Sequence, residues 1–468
     1  MAKLLISAAH KSSGKTTVSI GLCAAWHAAG HRVQSFKKGP DYIDPLWLQQ
    51  ASTRPCYNLD FFTQELDEIR QTFTSHAYGS DMALIEGNKG LYDGVDLLGS
   101  NSSAALARHL DCPVVLVIDT QGITRSIAPL LLGFQDFDKE VDITGVILNK
   151  VGGSRHESKL RNVIEHYTDI PVFGTIQRDK TLEISERHLG LIPANESDEA
   201  DRLIARLAEA MTNQIDIDAL LAVAQTKPLG PDNAEPQTIQ NKEKLRIGIT
   251  RDAAFGFYYA DDIDTFHREC EPIFIDTLHD NTLPAIDGLF IGGGFPETQM
   301  QALEHNSTLR QAIAGAIEAG LPVYAECGGM MYLTDSITWH NAHHKMTGAI
   351  PAKTIMHDRP QGRGYVQLRE NSNFPWPAHP GSEELNGHEF HYSALADISP
   401  QCKFAYDVSR GTGIVDAQDG IVYKNVLATY AHQRHTRNNP WIHRFLSFVS
   451  SVKNEQRPSL HLSARDIS

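Results

Sequence analysis

Three apolar residues, Leu4-Leu5-Ile6, lead into Ala9-His10-Lys11-Ser12-Ser13-Gly14-Lys15-Thr16. Apolar positions at helical spacing follow: Val18, Leu22, Ala25, Trp26 and Ala29. A buried strand, a glycine-bearing loop and a helix start, in that order, leave few folds open. The loop must turn its backbone N–H groups inward at the helix N-terminus, where the dipole favours a phosphate. This is the P-loop pattern with Ala9 in the place of the first glycine. Lys15 is placed to reach the β- and γ-phosphates of ATP, and the Thr16 hydroxyl to bind Mg²⁺. Ser13, Gly14 and Thr17 complete the expected ATP-binding loop. Gly30 is the expected C-cap of the helix. The plain alternative is a Ser/Gly turn before a helix, and the strand ahead of the loop argues against it.

Alternating strands and helices fill both halves of the chain. Strands are expected at Val33–Phe36, Met82–Ile85, Val114–Ile118 and Gly145–Leu148, then at Arg246–Ile249, Pro272–Ile275, Gly288–Ile291 and Pro322–Ala325. Continuous apolar runs of this length suit parallel strands covered on both faces. The stretch 226–244, TKPLGPDNAEPQTIQNKEK, has almost no large apolar residue and reads as a linker. The expected fold class is therefore α/β. Residues 1–225 form a doubly wound P-loop domain, and residues 245–468 form a second doubly wound domain.

Strand ends in the first half carry acids. Asp41 lies in Lys37-Lys38-Gly39-Pro40-Asp41-Tyr42-Ile43-Asp44, Glu86 ends Leu84-Ile85-Glu86, and Asp93 sits in Gly90-Leu91-Tyr92-Asp93-Gly94. In doubly wound sheets the carboxyl ends of the strands face the ligand crevice. Carboxylates there can hold Mg²⁺ between a nucleotide and a second substrate. Thr16, Asp41 and Glu86 are the expected metal ligands. Asp93 and Tyr42 are candidates for the second substrate, with core packing the equal alternative for Tyr42. Asn149, after Val146-Ile147-Leu148, is placed to read the adenine edge, with a turn asparagine as the other reading.

In the second half, Pro322-Val323-Tyr324-Ala325-Glu326-Cys327-Gly328-Gly329-Met330 is a strand running through a tight turn into a helix. It resembles a nucleophile elbow with Cys327 in the place of serine. A helix start lowers a thiol pKa, and the Gly328 N–H can donate to an oxyanion. Gly292-Gly293-Gly294 ends another strand, and its bare backbone offers Gly293 and Gly294 as the rest of the oxyanion and glutamine pocket. Tyr430-Ala431-His432-Gln433-Arg434-His435 brings a base for a Cys–His pair, His432, with His435 as a possible sharer of that role. His388, Glu389 and His391 have metal-like spacing but are read as structural.

Composition removes other classes. A formal charge of −15 argues against sequence-blind binding of nucleic acid or an anionic membrane. No apolar run reaches the roughly twenty residues that span a bilayer, and the first residues lack the pattern of a signal peptide. Six scattered cysteines without a CxxC pair read as free thiols in a reducing cytoplasm.

Almost the whole chain resembles the cobyrinate a,c-diamide synthase family, in which a dethiobiotin-synthetase-like ATPase domain is fused to a class I glutamine amidotransferase domain. The resemblance rests on Lys38-Gly39-Pro40-Asp41-Tyr42-Ile43-Asp44, Asn58-Leu59-Asp60, Glu86-Gly87, Gly90-Leu91-Tyr92-Asp93-Gly94 and Glu186-Arg187-His188-Leu189-Gly190-Leu191. In the second half it rests on Arg251-Asp252-Ala253-Ala254-Phe255, Gly292-Gly293-Gly294, Ala325-Glu326-Cys327-Gly328-Gly329 and Gly387-His388-Glu389-Phe390-His391-Tyr392-Ser393. It implies a ligase that takes ATP and L-glutamine and amidates the a and c acetates of an anionic tetrapyrrole, with a homodimer as the expected assembly. It also implies a Cys–His dyad, because Arg434 stands where many class I glutaminases carry the acid that orients the histidine. Lys89 and Arg363 differ from the pattern usual in the cobyrinate enzymes, which keeps sirohaem and nickel-sirohydrochlorin open as substrates. A nucleotide-switched partition ATPase is the competing reading. It needs neither Cys327 nor Gly292–Gly294, and the second lysine of that class is replaced by His10.

Overall fold

The computed structural model describes residues 2–187, 190–196, 199–226, 244–378 and 384–456. The chain divides into two compact units, Met1–Pro236 and Gln237–Ser468. Residues 227–243 of the expected linker, and His188 and Leu189, lie outside the described residues.

The first unit holds β1 (Ala2–Ala8), β2 (Val33–Lys38), β3 (Tyr57–Leu59), β4 (Met82–Glu86), β5 (Val114–Asp119), β6 (Ile143–Val151) and β7 (Val172–Gln177), with a short hairpin of β8 (Glu186–Arg187) and β9 (Gly190–Leu191) after them. The seven-stranded sheet runs β3-β2-β4-β1-β5-β6-β7, and its pairings are parallel. β1 lies between β4 and β5, so the loop after it opens where the strand order reverses, the usual ligand crevice of such a sheet. Five expected strands are present, each longer at one end or both, while β3 and β7 carry no long apolar run and were not expected.

Helix Lys15–Ala28 starts at the loop; its C-cap is Ala29 rather than Gly30, which follows one position later at φ 92°, its N–H donating to the His27 carbonyl at 2.9 Å. Val18, Leu22 and Trp26 share one core with Leu203, Leu207 and Met211 of helix Ala200–Gln214. The two helices meet at Gly21, where an added Cβ would lie 2.5 Å from Met211 Cγ and 3.0 Å from the Leu207 carbonyl oxygen.

The second unit restarts the pattern with β10 (Arg246–Thr250), β11 (Glu271–Ile275), β12 (Gly288–Ile291) and β13 (Val323–Glu326). It then departs from it with β14 (Thr334–Trp339), β15 (Ala342–Lys345), β16 (Ile350–Met356), β17 (Gly362–Glu370), β18 (Leu385–His391), β19 (Ser393–Ala396), β20 (Lys403–Arg410), β21 (Gln418–Tyr423) and β22 (Val426–Thr429). The main sheet runs β11-β10-β12-β13-β22-β21-β20-β17-β18. It is parallel through β22 and antiparallel beyond. A smaller sheet, β15-β14-β16-β19, stands apart from it. The antiparallel end curls until His388 in β18 exchanges backbone hydrogen bonds with His432, at 3.2 and 2.8 Å. β12, β13 and β22 are neighbours, so three parallel strands deliver three loops to one edge.

Gly21→Val should destabilise the first unit by about 1–3 kcal/mol, because the added methyls must push against a helix backbone. Chemical denaturation followed by Trp fluorescence would show a lowered midpoint.

Candidate active sites

In the first unit the loop after β1 winds through Ser12 at φ 66° and Gly14 at φ 91°. A Cβ on Gly14 would fall on the Asn149 side chain, so this position needs glycine for both its backbone and its neighbour. Asn149 Nδ2 donates to the Ser13 carbonyl at 2.9 Å, and the Ser13 hydroxyl donates to the His10 carbonyl at 2.8 Å. Asn149 thus braces the loop. It also lines, with Gly14, Thr17, Gln177 and Leu182, a cleft of about 230 Å³ beside it.

Lys15 is buried, and burial, with Lys37 next, lowers its pKa; Glu86, Asp44 and Asp93 act the other way. The Thr16 hydroxyl donates to Glu86 Oε1 at 2.6 Å and lies 3.3 Å from Asp44 Oδ2. Lys37 comes from the end of β2 into the same place. Its ammonium donates to Glu86 Oε1 at 3.0 Å, pairs closely with Asp44, and lies 3.8 Å from Asp41 Oδ2. Burial disfavours this charge, but Asp44, Glu86 and Asp41 together outweigh it and raise the Lys37 pKa. Burial pushes the Glu86 carboxyl up to about 7, against the pull of Lys37. Burial, then Asp44, push Asp41 up to about 6.

Among the described residues no group of three or more His, Cys, Asp or Glu side chains stands in metal-holding geometry. Mg²⁺ does not need one, since it binds through one or two carboxylates, a hydroxyl and substrate phosphates. Glu86 Oε2 is fully buried without a hydrogen-bond partner, and Thr16 and the carboxylates of Glu86, Asp44 and Asp41 offer oxygen ligands beside the Lys37 ammonium, so the site suits a hard divalent cation. Thr16 and Glu86 are the fitting ligands. Asp41 is more committed than expected, because its Oδ1 caps helix Ile43–Ser52 through the N–H groups of Ile43 and Asp44 at 3.0 and 3.1 Å. Tyr42 is 8% exposed, closer to a core residue than to an open contact. Asp93 is exposed, with Oδ2 accepting the Gly90 N–H at 2.9 Å. Lys37 and Asp44 were not read as site residues in the sequence, although both stand in the quoted motif.

In the second unit Cys327 has φ 46° and ψ −106°, a strained turn between β13 and the short helix Gly328–Leu333. Its N–H donates to the Thr429 carbonyl at 2.7 Å, which ties the turn to the end of β22. Gly294 is packed so tightly that a Cβ would collide with the Ala254 carbonyl oxygen. A Cβ on Gly328 would lie 2.7 Å from Gly294 O and 3.0 Å from Gly294 N, so the two backbones are in close contact beside the sulfur. Gly293 faces the His432 ring, which a Cβ there would strike. The three loops after β12, β13 and β22 therefore converge, as the glycine and cysteine motifs predict.

Two features differ from expectation. The thiol is not made acidic: burial, then the charge of Glu297, push its pKa up, and the Gly328 N–H offsets only part of this. Nor is His432 without an acid beside it. Glu326 Oε2 lies 3.4 Å from His432 Nδ1, both side chains being almost fully buried. Arg434 points elsewhere, donating to Asp261 through Nε at 3.0 Å and Nη2 at 2.6 Å. His435 is bound from the other direction, its N–H donating to Asp262 and its Nδ1 accepting from Ile442, so His432 is the histidine at the glycine turn. His388 stacks on the His432 ring at 4.9 Å and 17°, and Glu389 accepts the N–H groups of Thr412 and Gly413.

Gly294→Ala should abolish glutamine hydrolysis while the chain still binds ATP. Glutamate release and nucleotide binding, measured on one preparation, check this.

Two family descriptions match the chain: a CobQ/CobB/MinD/ParA nucleotide binding domain over residues 5–192 and a CobB/CobQ-like glutamine amidotransferase domain over residues 246–440. A cobyrinate a,c-diamide synthase of Magnetococcus marinus is 44% identical over 439 residues, covering 92% of this chain and 93% of its own. One of Methanosarcina acetivorans is 42% identical, with 92% of each chain covered. One of Archaeoglobus fulgidus is 37% identical over 453 residues, covering 96% of this chain and 98% of its own.

Proposed function

The chain belongs to the cobyrinate a,c-diamide synthase family, and from that premise we propose that it amidates the a and c acetates of cobyrinate with ATP and L-glutamine. The observation that carries this reading is the presence in one chain of two complementary sites. One gathers Lys15, Thr16, Lys37 and Glu86 at a P-loop, and the other sets Cys327 in a strained turn beside a bare glycine backbone whose Gly293 faces the His432 ring.

A carboxylate is a poor electrophile and must first be activated. Its oxygen takes the γ-phosphoryl of ATP, ADP leaves, and ammonia attacks the acyl carbon with loss of phosphate and a proton. The loop N–H groups and Lys15 hold the phosphates in line, and Asn149 and Thr17 line the cleft for the base. Thr16 and Glu86, with Asp41, would hold Mg²⁺, which offsets charge on the phosphoryl oxygens. Tyr42 and Asp93 are the proposed contacts to the tetrapyrrole. In the second unit Cys327 Sγ attacks the glutamine amide carbon as its proton passes to His432. The N–H groups of Gly328 and Gly294 stabilise the oxyanion. His432 returns the proton to the departing nitrogen, and ammonia leaves a γ-glutamyl thioester. Water then attacks the thioester carbon as one of its protons passes to His432, the C–S bond breaks to release L-glutamate, and His432 returns the proton to Cys327 Sγ. Six free, buried cysteines fit a reducing cytoplasm, and no described helix is long and apolar enough to cross a membrane.

Sirohaem is the second substrate to test, because Lys89 and Arg363 are exposed cations that could answer a different set of carboxylates. With cobyrinate, ATP, Mg²⁺ and glutamine, mass spectrometry should show two amidations, and sirohaem should remain unchanged. Amidation of sirohaem alone would overturn the substrate. Cys327→Ala should lower glutamine-dependent amidation by at least about 10³-fold and leave ammonia-dependent amidation intact. Lys15→Ala should stop both.

A further inference from the structure

We propose that Glu326, the residue immediately before the nucleophile, is the positioning residue for His432, so that the glutaminase site is a triad whose acid comes from the nucleophile strand. The inference rests on the reading of Cys327 and His432 as the glutaminase pair.

Successive residues of a strand point to opposite faces, so a carboxylate next to the nucleophile would ordinarily be directed away from its base. The turn at Cys327, with φ 46°, ends that alternation. Glu326 closes β13 and stays on the inner side, where Oε2 faces His432 Nδ1 at 3.4 Å. The other oxygen is pinned. Oε1 accepts the Tyr324 hydroxyl at 2.8 Å and the Gln433 N–H at 2.9 Å. One anchor is two residues before the acid and the other directly follows His432, so carboxylate and imidazole are tied to the same backbone. A contact of 3.4 Å is longer than a formed hydrogen bond. Catalytic pairs are often loose before substrate binds.

Arg434 explains why the acid comes from there. It stands two residues after His432, yet its guanidinium is buried, pairs with Asp261 and lies over the Tyr259 ring at 5.1 Å. The groups facing the pair are few. His388 stacks on His432, and burial, then His432 itself, hold its pKa well below the usual histidine value, so it stays neutral. Tyr324, Tyr258, Asp262 and Cys327 feel the charge of Glu326. Burial, with Asp261 next, raises the Asp262 carboxyl. Glu326 Oε1 accepts from both of its hydrogen-bond partners. The proton that His432 accepts from Cys327 sits on Nε2, while the Nδ1 proton faces the carboxylate.

The test is glutaminase kinetics on the full chain for Glu326→Gln, Glu326→Asp and Cys327→Ala, with ammonia-dependent amidation measured in parallel. Chloroacetamide alkylation of Cys327 against pH gives a readout independent of glutamine. Glu326→Gln should lower kcat about 10²-fold, change the glutamine KM less than about threefold and leave ammonia-dependent amidation unchanged. Its alkylation profile should move to higher pH, and Glu326→Asp should recover part of the rate. A Gln variant within about threefold of wild type in kcat, with an unmoved profile, would overturn the proposal. So would equal loss of glutamine- and ammonia-dependent turnover, which would mark Glu326 as a support of the fold. A wild-type chain that releases no glutamate from glutamine would instead overturn the reading of the site itself.

Discussion

A carboxylate buried at the carboxyl end of a parallel strand organises each half of this chain. Glu86 ends β4 and Glu326 ends β13, and both are almost wholly removed from water. An ion in that position loses several kcal/mol of hydration unless neighbours restore it. Glu86 is met by Lys37 and Thr16, and Glu326 by the Tyr324 hydroxyl, the Gln433 N–H and the His432 ring. Apart from Tyr324 on β13 itself, the partners are drawn from distant parts of the sequence: β2 and the P-loop in one case, the loop after β22 in the other. The need to compensate one buried charge therefore fixes where the phosphate loop and the base must stand.

The parts of this design legible in the sequence are those that local physics dictates. A loop that presents N–H groups at a helix start needs glycine where φ is positive, and Gly14 marks it. A parallel strand covered on both faces needs a continuous apolar run, and β1, β4, β5 and β12 have one. β17 does not. Gly362–Glu370 reads GRGYVQLRE, with buried and exposed residues mixed, because the strand belongs to the antiparallel end of the sheet with one wetter face. β3 is three residues long and gives no periodic signal. The same limit hid Lys37, which meets Glu86 across β2 and β4, and Asp44, which reaches Lys37 and Thr16 from helix Ile43–Ser52, contacts that no local pattern encodes. Glu326 left a trace, since a lone acid in Pro322-Val323-Tyr324-Ala325-Glu326 is out of place in a strand with no face to water. Its partner, His432, is more than a hundred residues away.

Both sites also show how a reactive group is kept from being spent early. Lys37 sits among three carboxylates beside Thr16, so cation and anions are arranged before any nucleotide arrives, and little reorganisation is left for the transfer step. The cleft next to Asn149 lies against the loop that this residue braces.

The thiol follows the opposite logic. The helix after Cys327 has six residues, too short a dipole to outweigh burial, and Glu297 adds a like charge to any thiolate. Both effects, burial and Glu297, push the Cys327 thiol pKa up and favour the neutral form. A neutral thiol is a weak nucleophile and is slow to oxidise, so the site is quiet until a proton can leave. In the proposed mechanism the proton goes to His432 as the sulfur attacks, and the rate depends on how well that imidazole holds a positive charge. In a low-dielectric pocket a carboxylate fixed beside the ring would supply that capacity, and on the proposed reading the strand that carries the sulfur carries such a group, Glu326, one residue earlier.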